Sequence, residues 1–277
     1  MQLQPRYGDD PILAVESTLD EVSISMLRQR RRLAALLSTL DAEQWAAPSR
    51  CAGWSVQDVV AHLVTTNRFW SASITAGRAG TPTQILAAFD PVATPAAIVE
   101  SVRSWGAAEA LDQFVETAEG LAATVVGIEP TEWSTTLAEA PPGHVALRAV
   151  ALHALWDSWV HERDIALPLG IEPVEAPDEI AACLHYASAL SPAFLASTGS
   201  RRRGVLRVVA TSPDVDIVVE VGPNVVVRDT LDAIDPAICG SAIDLVEGLS
   251  FRTEFPAVTD DAQWMMGGLA EVFEVAS

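Results

Sequence analysis

The chain of 277 residues is 49% hydrophobic and carries a formal net charge of -20, from 37 acidic against 17 basic side chains. Its length suffices for one large domain or two modest ones with a substantial core. Its charge argues against nucleic acid or an anionic membrane as a partner, since both demand basic patches.

The carboxylates are scattered rather than blocked, so they read as a solubilising surface and not as an acidic tail. Every basic residue is arginine. The three cysteines, Cys51, Cys183 and Cys239, are far apart with no Cys-x-x-Cys pair, which makes a reducing cytoplasm the simplest compartment. The opening MQLQPRYGDDPILAVES has no apolar signal-peptide core. No run approaches the roughly 20 apolar residues of a membrane span. A cytoplasmic protein is expected.

Apolar periodicity predicts a first helix over residues 15–40, followed by the loop WAAPSRCAGW. Within that loop Cys51 is either a reactive thiol or a buried structural one, the commoner fate of a free cysteine. Ser55 and Asp58 then form a Ser-x-x-Asp capping-box pattern ahead of an apolar run. A second helix is expected over 56–76, closed by Gly77, Gly80 and Pro82. A third helical region covers 95–126 with a break near Gly106, and a loop with Pro130, Pro141, Pro142 and Gly143 follows. A fourth helix spans 144–167 and is stopped by Pro168 and Gly170. Four helices joined by such loops point to a bundle.

Residues 177–198 read as a further, linking helix, and SRRRG as a solvated turn. GVLRVVATS, VDIVVEVG and NVVVRD are short β-branched runs parted by Pro213-Asp214 and Pro223-Asn224, the pattern of an antiparallel meander. A helix over 236–249 and another within 260–273 complete the chain. The change of character places a domain boundary near residue 172: a helical bundle over 1–172 and a small α+β domain over 173–277. There are no internal repeats.

Chemistry-bearing residues concentrate on two helices. On the second, Val56, Val59, Val60 and Leu63 define the core stripe, and His62 stands about 60° round from Val59, at the stripe's edge. A lone histidine there is more often packing than ligand. On the fourth, Leu152, Leu155, Trp156 and Trp159 form one apolar face, while Val150, His153, Ala154, Asp157, Val160 and His161 form the other. A helix apolar on two sides is buried, and buried polar groups need partners. Residues four apart stand about 6 Å along the axis and can meet at one ion. His153 and His161 are about 12 Å apart on the same basis and cannot. The helix therefore offers either His153–Asp157 or Asp157–His161, with His62 the best remaining partner. Two histidines and one carboxylate are a ligand set of catalytic zinc with one position open. The rivals are a buried hydrogen-bond network and a solvent-facing His/Asp stripe.

CAGWSVQDVVAHL, PPGHVALRAV and DSWVHERDIALPLG, in that order and spacing, resemble the mycothiol-dependent maleylpyruvate isomerase family of the DinB-like superfamily. GSAIDLVEGL after a meander is similar to the same family's C-terminal module, so the resemblance covers nearly the whole chain. It implies an α+β protein: an N-terminal DinB-like four-helix bundle followed by a small, sterol-carrier-like α+β domain. It also implies a divalent metal, zinc foremost, on His62, Asp157 and His161, and mycothiol as co-substrate. The family usually has glutamate where this chain has Asp157, one methylene shorter. His153 reads as packing, second ligand shell or spare ligand. Asp164 reads either as the acceptor that orients a liganding histidine or as the partner of an arginine.

The expected activity is that of a thiol transferase or isomerase acting on a small electrophile, as monomer or homodimer, with neither nucleic acid nor membrane as partner. A non-catalytic binding or regulatory protein and a metal-dependent hydrolase are the alternatives. Arg68, Arg78, Arg103 and Arg148 are available for substrate carboxylates, each with a surface role as its ordinary fate. Trp54, Trp70, Trp105 and Trp156 read as core.

Overall fold

The computed structural model describes residues 5–19, 22–88, 90, 93–229 and 234–269. The chain starts with a three-residue strand, β1 (Leu13–Val15), and then enters the first long helix, α1 (Val22–Leu37). The helix expected from residue 15 begins later because Leu13, Ala14 and Val15 pair with a distant strand. A short α2 (Ala42–Ala46), capped by Asp41 and Gln44, leads into the loop before α3 (Val56–Arg78).

Helix α3 begins at its predicted cap. Ser55 Oγ accepts from the Asp58 backbone N–H, and Asp58 Oδ2 accepts from the Ser55 N–H. Gly77 lies inside this helix rather than after it. A β-carbon there would stand 2.3 Å from the Leu137 carbonyl oxygen, so only glycine lets the helix approach that segment. Helices α4 (Ala93–Ser101) and α5 (Ala107–Thr124) are separated at Gly106, the N-cap of α5. After α6 (Glu132–Thr135), strands β2 (Leu137–Ala140) and β3 (Gly143–Ala146) form an antiparallel hairpin around Pro141 and Pro142. The fourth long helix, α7 (Leu147–Ala166), therefore starts three residues later than the sequence suggests.

Helices α1, α3, α5 and α7 form the bundle. Leu33, Leu37, Val59, Val60, Leu63, Phe114 and Ile165 fill one part of it. Helix α7 is buried on nearly every side; Arg148 and Trp156 alone retain partial exposure.

Beyond residue 172 comes α8 (Pro177–Ser197), which is a core helix rather than a linker. It packs against α7, the sheet and the short helix Ala242–Leu249 that follows the sheet. It is long and apolar enough to cross a membrane, but 83% of its apolar window is buried within the protein. Strands β4 (Gly204–Thr211), β5 (Val215–Val221) and β6 (Val225–Asp229) form the expected meander. The predicted helix over 236–249 divides into strand β7 (Ile238–Ser241) and helix α9 (Ala242–Leu249), with Ser241 capping α9 through Asp244. Residues Gln263–Met265 form a 3-10 turn; residues 270–273 of the expected tail helix lie outside the described residues.

The sheet is mixed and five-stranded, in the order β1-β6-β5-β4-β7, with both outer strands parallel to their neighbours. The protein is thus α+β, a helical bundle followed by a strand-rich region. The N-terminal segment reaches into that region, since Leu13 pairs with Val225. One hydrophobic cluster runs from Leu13 through Leu155 and Leu184 to Val219.

Candidate metal centre

The Ser55 cap sets the start of α3, so His62 falls two turns along it. There Trp54, from the loop just before the cap, packs at 5.4 Å on the imidazole. Helix α7 crosses α3 and presents Asp157 and His161 on successive turns of one face. Asp157 Oδ1 lies 3.6 Å from His62 Nε2 and 3.6 Å from His161 Nε2. The two rings stand edge to face, 4.9 Å between centroids. One ligand atom from each of the three residues falls within 4.8 Å of the others.

These separations exceed a hydrogen bond. They match the roughly 3.4 Å expected between two ligands bound at about 2.1 Å to one tetrahedral ion. The second carboxylate oxygen, Asp157 Oδ2, is buried without any hydrogen-bond partner. An orphaned carboxylate oxygen in a closed site is costly unless a cation or water meets it. The donor set and its spacing fit a divalent ion, and the shorter aspartate side chain reaches both histidines. Burial pushes the Asp157 carboxyl up, yet His62, His161 and His153 outweigh burial and hold it well below the usual carboxylate range.

Asp164, three residues after His161, fixes that ring from behind. His161 Nδ1 is hydrogen-bonded to Asp164 Oδ2 over 3.0 Å, and Nε2 is the ring atom that faces Asp157. Asp164 thus both bonds the His161 ring and pairs with arginine. Its side chain also accepts from Arg50 Nε at 3.0 Å, from Arg252 Nε and Nη2 at 2.9 Å, and from the Cys51 thiol at 3.2 Å. Burial raises the Asp164 pKa, but His161 and Arg252 hold it well below its ordinary value. Glu247 on α9 closes the network, accepting from Arg50 at 2.7 and 3.0 Å and from Arg163 at 2.6 Å. Groups far apart in the chain thus brace the His161 ring.

Cys51 also lies 3.6 Å from His161 Nδ1. Its thiol is pushed up to about 12, first by burial and then by Asp164, so it remains protonated and donates to that carboxylate. Cys51, His161 and Asp164 converge as a second group of potential ligand atoms. Two guanidinium groups on Asp164 make this the poorer place for a cation.

His153 is not brought to the His62 cluster. Its Nδ1 is hydrogen-bonded to Tyr186 Oη, and its ring packs against Trp70, Trp156 and Tyr186 at 4.5, 5.4 and 4.9 Å. Burial lowers its pKa to about 4, so it is a neutral packing residue.

None of the four arginines singled out earlier contacts the ligand cluster. Arg68 bonds Gln113 and lies 6.0 Å over Trp105, Arg78 pairs with Glu132, and Arg103 with Glu100. Arg148 donates to the Ser17 carbonyl. The arginines that matter, Arg50 and Arg252, were passed over. Arg50 adjoins the CAGW motif, and Arg252 lies three residues beyond the end of GSAIDLVEGL, which are the signals that would have found them.

A bundle continued by a strand-rich region, with two histidines and a carboxylate gathered where two of its helices cross, defines a DinB-like α+β protein. The sequence profile of the mycothiol maleylpyruvate isomerase N-terminal domain matches residues 26–166, and the chain belongs to that family. The matched stretch runs from within α1 to the end of α7 and contains His62, Asp157, His161 and Asp164. No curated protein sequence matches the chain. A crystal structure of the mycothiol-dependent maleylpyruvate isomerase is similar with a TM-score of 0.60 at 13% identity, covering 87% of this chain and 92% of that one. The structure of a histidine-to-alanine mutant of that enzyme aligns with a TM-score of 0.59, with the same identity and coverage. At such identity the likeness speaks for the fold.

Proposed function

We propose that His62, Asp157 and His161 hold one divalent cation, zinc foremost, and that the protein is a mycothiol-linked enzyme acting on a small electrophile by thiol addition. The observation that carries this is the placement of Asp157: one oxygen equidistant from two imidazole nitrogens, the other buried without a partner. Membership of the family and the name of the similar enzyme support mycothiol as the thiol and isomerisation as the reaction.

A divalent ion at this position supplies a Lewis acid that favours thiolate, the nucleophilic form of a thiol. The chain's own residues do the rest. His62, Asp157 and His161 would hold the ion, and Asp164, bonded to Nδ1 of His161, would keep that ring in the tautomer that offers Nε2. Addition of the thiolate sulfur to one carbon of a cis double bond forms a C–S bond and moves the π electrons onto the conjugated acceptor. Rotation about the resulting single bond and expulsion of the same thiolate restore the double bond as trans. Thiol is regenerated, so the net change is isomerisation. Where the attacked carbon carries a leaving group instead, that group departs with its bonding electron pair, the C–S bond persists and the reaction is a transfer.

Purified protein assayed with an electrophilic substrate tests this. Turnover is expected only when mycothiol is present, together with about one equivalent of bound metal. Metal-dependent turnover without thiol would mean that bound water attacks and the protein is a hydrolase. Absence of bound metal in active protein would remove the ligand assignment.

A further inference from the structure

Arg30 of α1 is 1% exposed, and its hydrogen bonds all go to neutral groups. Its Nε donates to Asn67 Oδ1 at 2.8 Å, its Nη2 to the Ala154 carbonyl at 3.0 Å and its Nη1 to the Met26 carbonyl at 3.4 Å. Among the described residues no carboxylate lies within ion-pair distance of it, whereas Arg28, Arg32, Arg50, Arg163 and Arg252 each have one. A buried charge without a counter-ion is costly, and an apolar residue of similar volume would ordinarily be the more stable choice.

The place of this charge is specific. Asn67 is on α3, five residues beyond His62, and Ala154 is on α7, three residues before Asp157. The guanidinium therefore joins the two helices that carry the ligands. The Ala154 carbonyl it caps points along α7 toward Asp157, as helical carbonyls point toward the C-terminus. Burial lowers the Arg30 pKa to about 10 against the opposing pull of Asp157, so it stays charged at neutral pH.

We propose that Arg30 is a positioning residue of this centre, whose buried charge offsets that of Asp157 and makes an anion the favoured occupant of the open coordination position. The inference rests on the metal-centre assignment above. With neutral imidazoles, a divalent ion and Asp157 leave one net positive charge; Arg30 raises it to two. An entering thiolate is stabilised accordingly, while the cation itself is slightly repelled. The two affinities should therefore respond to Arg30 in opposite directions.

The test uses full-length protein loaded with cobalt(II), whose visible spectrum reports coordination, and azide as the probe anion. Arg30→Met is expected to bind cobalt as tightly as the wild type or more tightly, while azide affinity falls about tenfold, the scale of one screened unit charge. Arg30→Lys should recover most of the azide affinity. Asn67→Asp gives the guanidinium a carboxylate partner and should weaken azide similarly with arginine intact, which also serves if Arg30→Met does not fold. A merely structural arginine would lower cobalt and azide affinity together in both Arg30 variants. That result overturns the proposal, as does azide affinity within about twofold of wild type in every variant that folds. Wild-type protein that takes up no cobalt removes the metal centre itself, a failure distinguishable from the others.

Discussion

His153 and His161 lie two turns apart on the same buried helix, and their surroundings differ in what each ring nitrogen meets. His153 has its Nδ1 engaged by Tyr186 and its faces covered by Trp70 and Trp156. His161 has an acid behind it, Asp164, and Asp157 and His62 in front. Burial is nearly the same for both. An acceptor on the far ring nitrogen is the usual companion of a metal-liganding histidine. Of these two rings His161 is the one with a carboxylate on each side, which is why the proposed centre uses it and not His153.

Substitution should separate the two most sharply. His161→Ala or His62→Ala should reduce bound metal from about one equivalent to near none, by elemental analysis, whereas His153→Phe should retain it. Metal kept by both alanine variants would break the comparison.

Asp164→Asn tests the bracing next. It removes the acceptor of His161 and leaves Arg50 and Arg252 short of a counter-ion. Metal affinity should fall about ten- to a hundredfold, and stability should fall by roughly 3 kcal/mol. Competition with a chelator and chemical denaturation measure the two effects; an unchanged metal affinity would make Asp164 purely structural.

A pH titration of stability sharpens the other side. The His153 pKa in the folded protein, about 4, lies below that of the unfolded chain, about 6.5. The unfolded state therefore binds the proton first as pH falls. The contribution of neutral His153 is fully present above about pH 6.5 and lost progressively toward pH 4, on the order of 3 kcal/mol. The wild type should show this slope and His153→Phe should lack it; equal slopes would show that His153 titrates normally. Smallest of all, Tyr186→Phe should cost about 1–2 kcal/mol by leaving His153 Nδ1 unsatisfied, with the metal content unmoved. Loss of metal in that variant would tie the His153 end of α7 to the centre after all.

Much of the helical half was legible because its signals are local. The Ser55–Asp58 cap, the break at Gly106 and the alternation in β4, β5 and β6 depend on neighbours within a few residues. The short strands β1 and β7 were not legible. Three or four residues are too few for a period, and both owe their conformation to a parallel partner distant in the chain. For the same reason α8 read as a connector, since the apolar surface that buries it comes from α7, α9 and the sheet.

At the site, the sequence by itself determined that Asp157 and His161 share a helix face one turn apart, and that His153 and His161 cannot serve one ion. Those are consequences of a 1.5 Å rise per residue. Spacing left open which histidine Asp157 faces. The resemblance named His62 and His161, and the tertiary structure brings those two to Asp157. The bracing by Arg50, Glu247 and Arg252 was decided by the tertiary structure alone. Helical spacing fixes geometry within one element, whereas the crossing of α3 over α7 and the approach of α9 depend on how whole surfaces pack.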